Sequence, residues 1–307
     1  MMSELLGHVE DYLEFRRALG FKLEREGHLL PQFVAYLEAA GSATITSQLA
    51  IAWARLPKNV LPISWAHRLG AVRGFARYLQ TIDPATEVPP RDVFPTSSPR
   101  PTPYLWSDDD IAGLLAAARQ LSPPLSAATY ETLFALVAVT GMRISEALAL
   151  QRDHVDLDRG VLTLHNTKFD RCRLVPLHAT TTEALHAYVA CRDRLCPTSA
   201  TTAFFVSPTG AALGHNAVHR IFVELTSEIG LRTETVRPRV HDLRHSVAVR
   251  TLIEWHRAGV DVDAAMPLLS TYLGHINPAG TYWYLSAAPE LMELAAARLD
   301  GNYGARR

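Results

Sequence analysis

Proline decides first how this chain can fold. Residues 82–103 (IDPATEVPPRDVFPTSSPRPTP) hold Pro84, Pro89, Pro90, Pro95, Pro99, Pro101 and Pro103, seven of the chain's 19 prolines. Each proline fixes φ and removes a backbone donor, so no long helix or central strand survives that density. The stretch reads as an extended linker. It sets residues 1–81 apart from residues 104–307, and at 307 residues two domains are the expected organisation.

The first part reads as all-helical. Leu5, Val9, Tyr12, Leu13 and Phe15 recur near helical spacing until Gly20 ends the run. Leu29, Leu30, Phe33, Val34 and Leu37 mark a second helix that stops at Gly41, with Pro31 expected in its first turn. Thr46 or Ser47 caps a short helix through Ala54, and a fourth runs from about Ser64 to Leu79. Its Arg68, Arg73 and Arg77, with His67 nearby, form a basic face suited to lying along a duplex backbone.

The second part is mainly helical with a small antiparallel sheet. Ser107 caps a helix whose first turn is Asp108–Asp110, where the helix dipole favours negative charge. Tyr130–Val139 is apolar and helical; Gly141 breaks it, and Ser145–Leu150 begins another helix. Arg143 falls at that junction, where its long side chain can project into a cleft, and Glu146, three residues on, can hold it. Residues 161–166 and 172–177 read as strands joined by a hairpin tip, 167–171, that carries Lys168. Thr180 with Glu183 forms a capping box for a helix to about Leu195, and Asn216–Ile229 is a helix closed by Gly230. Further helices are expected from His241 through Trp255, over Ala264–Leu273 and over Pro289–Leu299. The last has an apolar stripe of Leu291, Met292, Leu294, Ala295 and Leu299.

Composition limits the function. Net charge is −1, which argues against a simple, strongly basic nucleic-acid binder. Only Lys22, Lys58 and Lys168 of the 30 Lys and Arg residues are lysines, a bias that either phosphate recognition or high-GC coding produces. No apolar run approaches a membrane span, and the acidic, amphipathic start does not read as a signal peptide. Cys172, Cys191 and Cys196 are odd in number and form no CxxC pair, so neither a disulfide scaffold nor a zinc knuckle is expected and a reducing cytoplasm fits.

The stretch from His241 through Asp242, Leu243, Arg244 and His245 carries the chemistry. On a helix His241 and Arg244 share a face. Arginine grips two oxygens at once and histidine exchanges a proton near neutral pH, so the pair suits a phosphate. Four further pieces lie elsewhere in the chain. They are Thr140-Gly-Met-Arg143-Ile-Ser-Glu-Ala-Leu, Lys168 followed by Arg173-Leu-Val-Pro-Leu, Leu273-Gly-His275, and Tyr284 nine residues beyond His275. In this order they resemble the tyrosine recombinases of the phage integrase family. Phe169 departs from the glycine common after the lysine in that family.

The resemblance implies a site-specific recombinase that cuts and rejoins double-stranded DNA through a 3′-phosphotyrosine. A catalytically inactive DNA-binding regulator and a type IB topoisomerase are the alternatives. It implies a core-binding domain at 1–81, a catalytic domain at 104–307, a homo-tetramer on DNA, and a final helix that docks in its own core or in a neighbour's groove. With no carboxylate cluster suited to magnesium among the motifs, no metal or cofactor is expected, and the cations must be side chains. Arg143 and Arg244 would clamp the non-bridging oxygens, and His241 would act as base. Lys168 would protonate the departing 5′-oxygen. His275 would hold the phosphate or the tyrosine, and Tyr284 would attack. Tyr282, about 200° from Tyr284 on a helix, takes a packing role. His245 is expected to pack or support.

Overall fold

In the computed structural model, which describes residues 4–96, 102–166, 171–198, 201–275, 279–282 and 284, the chain divides into two units, Met1–Pro101 and Thr102–Arg307.

The first unit contains α1 (Glu4–Ala18), α2 (Glu24–Ala39), α3 (Ser47–Ala54) and α4 (Pro62–Leu79). Leu13, Phe33, Leu37, Trp53 and Phe75 bury the apolar stripes of these helices in one core. Thr46 caps α3 by accepting from the Leu49 N–H at 3.3 Å. Pro31 lies inside α2 rather than in its first turn. The helix starts earlier than the apolar spacing suggests, because Glu24 and Glu26 supply an acidic first turn after Leu23 enters with φ of 46°.

Two arginines of the expected basic face of α4 are occupied within the fold. Arg68 stacks over the Trp53 ring at 3.7 Å and donates to the Trp53 carbonyl. Arg73 donates to the carbonyls of Pro89 and Pro90 at 2.8 and 2.6 Å. Arg73 thereby fastens part of the proline-rich stretch to the unit. Phe94 enters the core beside Trp65, Thr86 is buried, and the Glu87 carboxylate accepts from the Ser47 N–H at 2.7 Å. Proline density excludes helix there without excluding packing, because extended chain can still offer its carbonyls to a guanidinium.

The second unit contains α5 (Asp108–Arg119), α6 (Pro124–Thr140), α7 (Ile144–Leu148) and a 3₁₀ turn (Arg152–His154). Strands β1 (Val155–Asp156), β2 (Val161–Asn166) and β3 (Arg171–Pro176) follow. After them come α8 (Ala179–Leu195), α9 (His215–Glu228), α10 (Val240–Arg257), α11 (Val262–Leu273) and α12 (Ala279–Tyr282). The strands form one antiparallel sheet in the order β1-β2-β3. A mainly helical fold with a small antiparallel sheet is the class that the sequence indicated. Ser107 and Asp110 make a reciprocal capping box on α5. On α8 the cap is His178, which accepts from the Thr180 N–H, so the helix begins ahead of the expected Thr180–Glu183 box.

Helix α6 is apolar nearly all round and runs through the core, burying Leu133, Phe134, Leu136 and Val137. Phe134 meets Phe222 of α9 edge-on at 5.5 Å. Burial of each such ring is worth roughly 1.5–3 kcal/mol. A second cluster joins α10 to α11 through Val249, Leu252, Met266 and Leu269, and it includes Tyr284. Gly141 ends α6 with φ of 63°; a Cβ there would stand 3.1–3.3 Å from Val247 and Leu273. Only glycine lets the α6–α7 junction lie this close to α10 and the end of α11.

Candidate active site

The site is built on the C-terminus of α11. The last carbonyls of a helix lack intrahelical donors and carry the negative end of its dipole. Here three consecutive carbonyls each accept from a different guanidinium. Tyr272 O accepts from Arg173 Nε at 3.0 Å, Leu273 O from Arg244 Nη2 at 2.6 Å, and Gly274 O from Arg143 Nη2 at 2.8 Å. Gly274 has φ of 67°, and a Cβ on it would lie 2.5 Å from Arg173 Nη1. Any larger residue would displace that arginine.

Arg143 is the N-cap of α7, with φ of −70° and ψ of 143°. This extended backbone turns its side chain away from the helix. Its N–H and Nη1 both donate to Glu146 at 2.8 Å. Arg173 reaches the same carboxylate with Nη1 and Nη2, each at 2.8 Å. Glu146 therefore accepts four hydrogen bonds, its full complement. Burial alone would raise its pKa; the Arg173 fork, the Arg143 N–H and the two positive charges instead hold it at about 2. One carboxylate charge thus faces three guanidinium charges, and the surplus is positive.

Arg244 is 1% exposed. Its Nη1 donates to Gly141 O at 2.7 Å, while its Nε is buried without a hydrogen-bond partner. Burial, opposed by the neighbouring Tyr284, lowers its pKa to about 10, so it stays charged at neutral pH. A charged, buried group with an unused donor is well suited to an anionic oxygen.

The histidines surround these arginines and are neutral near pH 7. His275 is pushed down to about 4, first by burial and then by Arg244 and Arg143. Its Nδ1 lies 2.7 Å from the hydroxyl of Thr281, which is fully buried on α12. His241 is solvent-exposed at the rim, yet its ring is crowded from the protein side, and that desolvation together with Arg244 lowers its pKa. His245 is pushed to about 4 by burial and by His241. Its ring stands edge-on to His241 at 4.7 Å and to Tyr284 at 5.3 Å, spanning the two. Tyr284 is 2% exposed and stacks against His275 at 5.9 Å, whereas Tyr282 is exposed.

The fold thus brings together Arg143, His241, Arg244, His275 and Tyr284 from four separate stretches of chain. Lys168 and the expected helix over 289–299 lie outside the described residues. Two contributors carried no role in the sequence reading. Thr281 gives no signal of its own. Arg173 does: with Val175 it occupies the inward side of β3, opposite Leu164 and Leu162 of β2. A charge on the buried face of a strand requires a partner. Among the described residues, no group of three or more His, Cys, Asp or Glu is placed to hold a metal ion, and no helix is long and apolar enough to cross a membrane.

Residues 106–290 match the phage integrase family. The Sinorhizobium fredii protein y4rB, named as an integrase/recombinase, is 43% identical over 310 residues, spanning 98% of this chain and 99% of its own. The tyrosine recombinase XerD of Caulobacter vibrioides is 29% identical over 276 residues, 89% of this chain and 83% of its own. Two solved structures share the fold. The Tn1549 transposon integrase in complex with transposon right end DNA has a TM-score of 0.66 at 16% identity, covering 95% of this chain and 98% of that one. The XerH site-specific recombinase bound to its palindromic difH substrate has a TM-score of 0.66 at 20% identity, covering 89% and 78%.

Proposed function

Since this chain belongs to the phage integrase family and is a site-specific DNA recombinase of the tyrosine type, we propose that the cluster at the end of α11 is where it cuts and rejoins duplex DNA, with Tyr284 as nucleophile. The observation that carries this reading is the suspension of Arg143 and Arg244 from the adjacent carbonyls of Gly274 and Leu273, with a buried tyrosine and neutral imidazoles beside them.

A phosphodiester is shielded by its own negative oxygens, and its displacement depends on positioning and charge stabilisation. Arg143 and Arg244 grip the non-bridging oxygens and neutralise the charge that builds on them. Their carbonyl anchors hold them in place beforehand, so little reorganisation is needed during reaction. The Tyr284 oxygen attacks phosphorus, the bond to the 5′-oxygen breaks, and a 3′-phosphotyrosyl link forms. A free phenol has a pKa near ~10, so its proton needs an acceptor. His241, neutral and at the rim, takes it. His275, fixed by Thr281, orients the phosphate or the tyrosine. Lys168 gives a proton to the departing 5′-oxygen. The link conserves the bond energy, and attack by a 5′-hydroxyl from a second strand reverses the step without ATP. No metal or cofactor is invoked.

The helical first unit acts as the core-binding element on the duplex. Exchange between two sites requires four active tyrosines, so a homo-tetramer on DNA is the working assembly. The test is a plasmid carrying two direct copies of the DNA that flanks the chain's own gene. Deletion between the copies is expected, with arbitrary supercoiled plasmid left unchanged. Relaxation of any plasmid would favour a type IB topoisomerase instead. Binding without exchange or relaxation would favour an inactive regulator.

A further inference from the structure

Arg173 stands behind the proposed phosphate clamp. Its side chain is 15% exposed, against 32% for Arg143, so Arg143 is the more open of the two guanidinium groups on Glu146. All three of its nitrogens are committed: Nη1 and Nη2 to the two oxygens of Glu146, Nε to the Tyr272 carbonyl. Three of its five donors are thus spent inside the protein, against two of five for the more open Arg143. Its consequence lies in what it does to Arg143.

Glu146 and Arg143 are three residues apart at the start of α7, and a lone carboxylate beside a lone guanidinium closes into a two-pronged pair. In this site the Arg173 fork already occupies both carboxylate oxygens. Arg143 therefore gives Glu146 one side-chain hydrogen bond, from Nη1, and turns Nη2 to Gly274 O. Of its five side-chain donors, two are used and the others are left for an incoming anion. Arg173 also packs against Gly274, the residue whose carbonyl anchors Arg143 and whose neighbour is His275. One side chain from β3 thus fixes both attachments of Arg143.

We infer that Arg173 is a positioning residue for strand cleavage, holding Arg143 half-paired so that its outer edge stays open to the scissile phosphate. Without Arg173, Glu146 captures Arg143 in a two-pronged pair and draws it off Gly274. Lysine is a poor substitute: a point charge cannot occupy both carboxylate oxygens and the Tyr272 carbonyl together. The inference rests on the cleavage reading above.

The test is a double-mutant cycle read as first-turnover cleavage of nicked duplex by the full chain at saturating protein. The duplex is the flanking DNA that wild type cleaves, and its Kd and the thermal midpoint are measured alongside. Arg173→Gln should slow cleavage about 10- to 100-fold, the cost of a small misplacement at a reacting centre, with Kd little changed. Arg173→Lys should recover only part of that loss. In an Arg143→Lys background, Arg173→Gln should cost less than about 3-fold, because its effect passes through Arg143. Equal losses in both backgrounds would overturn the inference, as would full recovery by Arg173→Lys or a loss wholly accounted for by a smaller folded fraction. If Arg173→Gln does not fold, Arg173→Lys is carried through the same cycle and decides. Absence of cleavage by wild type on every duplex would instead sink the functional reading.

Discussion

Two sets of arginines in this molecule do opposite things with the same chemistry. On α4, Arg68 and Arg73 give their donors to the Trp53 carbonyl and ring and to the carbonyls of Pro89 and Pro90. At the end of α11, Arg143, Arg173 and Arg244 also hang from backbone carbonyls. The difference lies in what stands nearby. Around α4 the partners are neutral, and they tie a proline-rich segment to a helix. Around α11 the Glu146 carboxylate faces three guanidinium cations, and three imidazoles and a phenol complete the cluster. Spacing along a helix therefore does not say whether a basic residue is structural or functional. The balance of charge around it does.

The largest effect that would break this contrast is on catalysis. Arg244→Ala should reduce first-turnover cleavage about 10²–10³-fold, the usual cost of removing one preorganised donor to a developing anion. The measurement is the rate of covalent complex formation at saturating DNA; a loss below 10-fold would place Arg244 with the α4 arginines. Acid comes next. His245 and His275 have pKa values near 4 in the folded chain against 6.5 for the free group, and His241 is also lowered. Between about pH 6.5 and 4 the unfolded chain takes up protons that the folded one refuses, so stability falls as pH drops through that window. Urea unfolding monitored at pH 7.5, 6 and 5 should show the midpoint falling, and His245→Phe should flatten that slope. Arg73→Ala should be mildest, destabilising by about 1–3 kcal/mol through two lost hydrogen bonds from a charged group, while bound DNA is cleaved at the wild-type rate. A cleavage defect at saturating DNA would assign Arg73 a part in the chemistry.

Much of this was legible in sequence because it is local. The Ser107 cap, the β2–β3 hairpin, the Arg143–Glu146 spacing and the His241–Arg244 pair all fall within a few residues of each other. What was not legible joins distant parts of the chain. Arg143 meets Gly274 across 131 residues and Arg173 meets Tyr272 across 99. No periodicity encodes that these carbonyls converge on these guanidiniums. Arg73 is the same kind of case: proline density predicted an extended stretch over 82–103 but not that a guanidinium would fasten residues 89 and 90. Pro31 differs again, because the acidic first turn at Glu24 outweighs the habit of placing proline at a helix start.

The measurement that bears most directly on the central claim is covalent trapping. Wild type, Tyr284→Phe and Tyr282→Phe would each be mixed with labelled, nicked duplexes tiling the DNA beside the chain's own gene, and resolved on denaturing gels. Tyr284 is buried against His275 and His245, whereas Tyr282 is exposed. The account predicts a DNA-linked band with wild type and with Tyr282→Phe, lost only with Tyr284→Phe. A band that survives Tyr284→Phe would contradict it and move the nucleophile elsewhere.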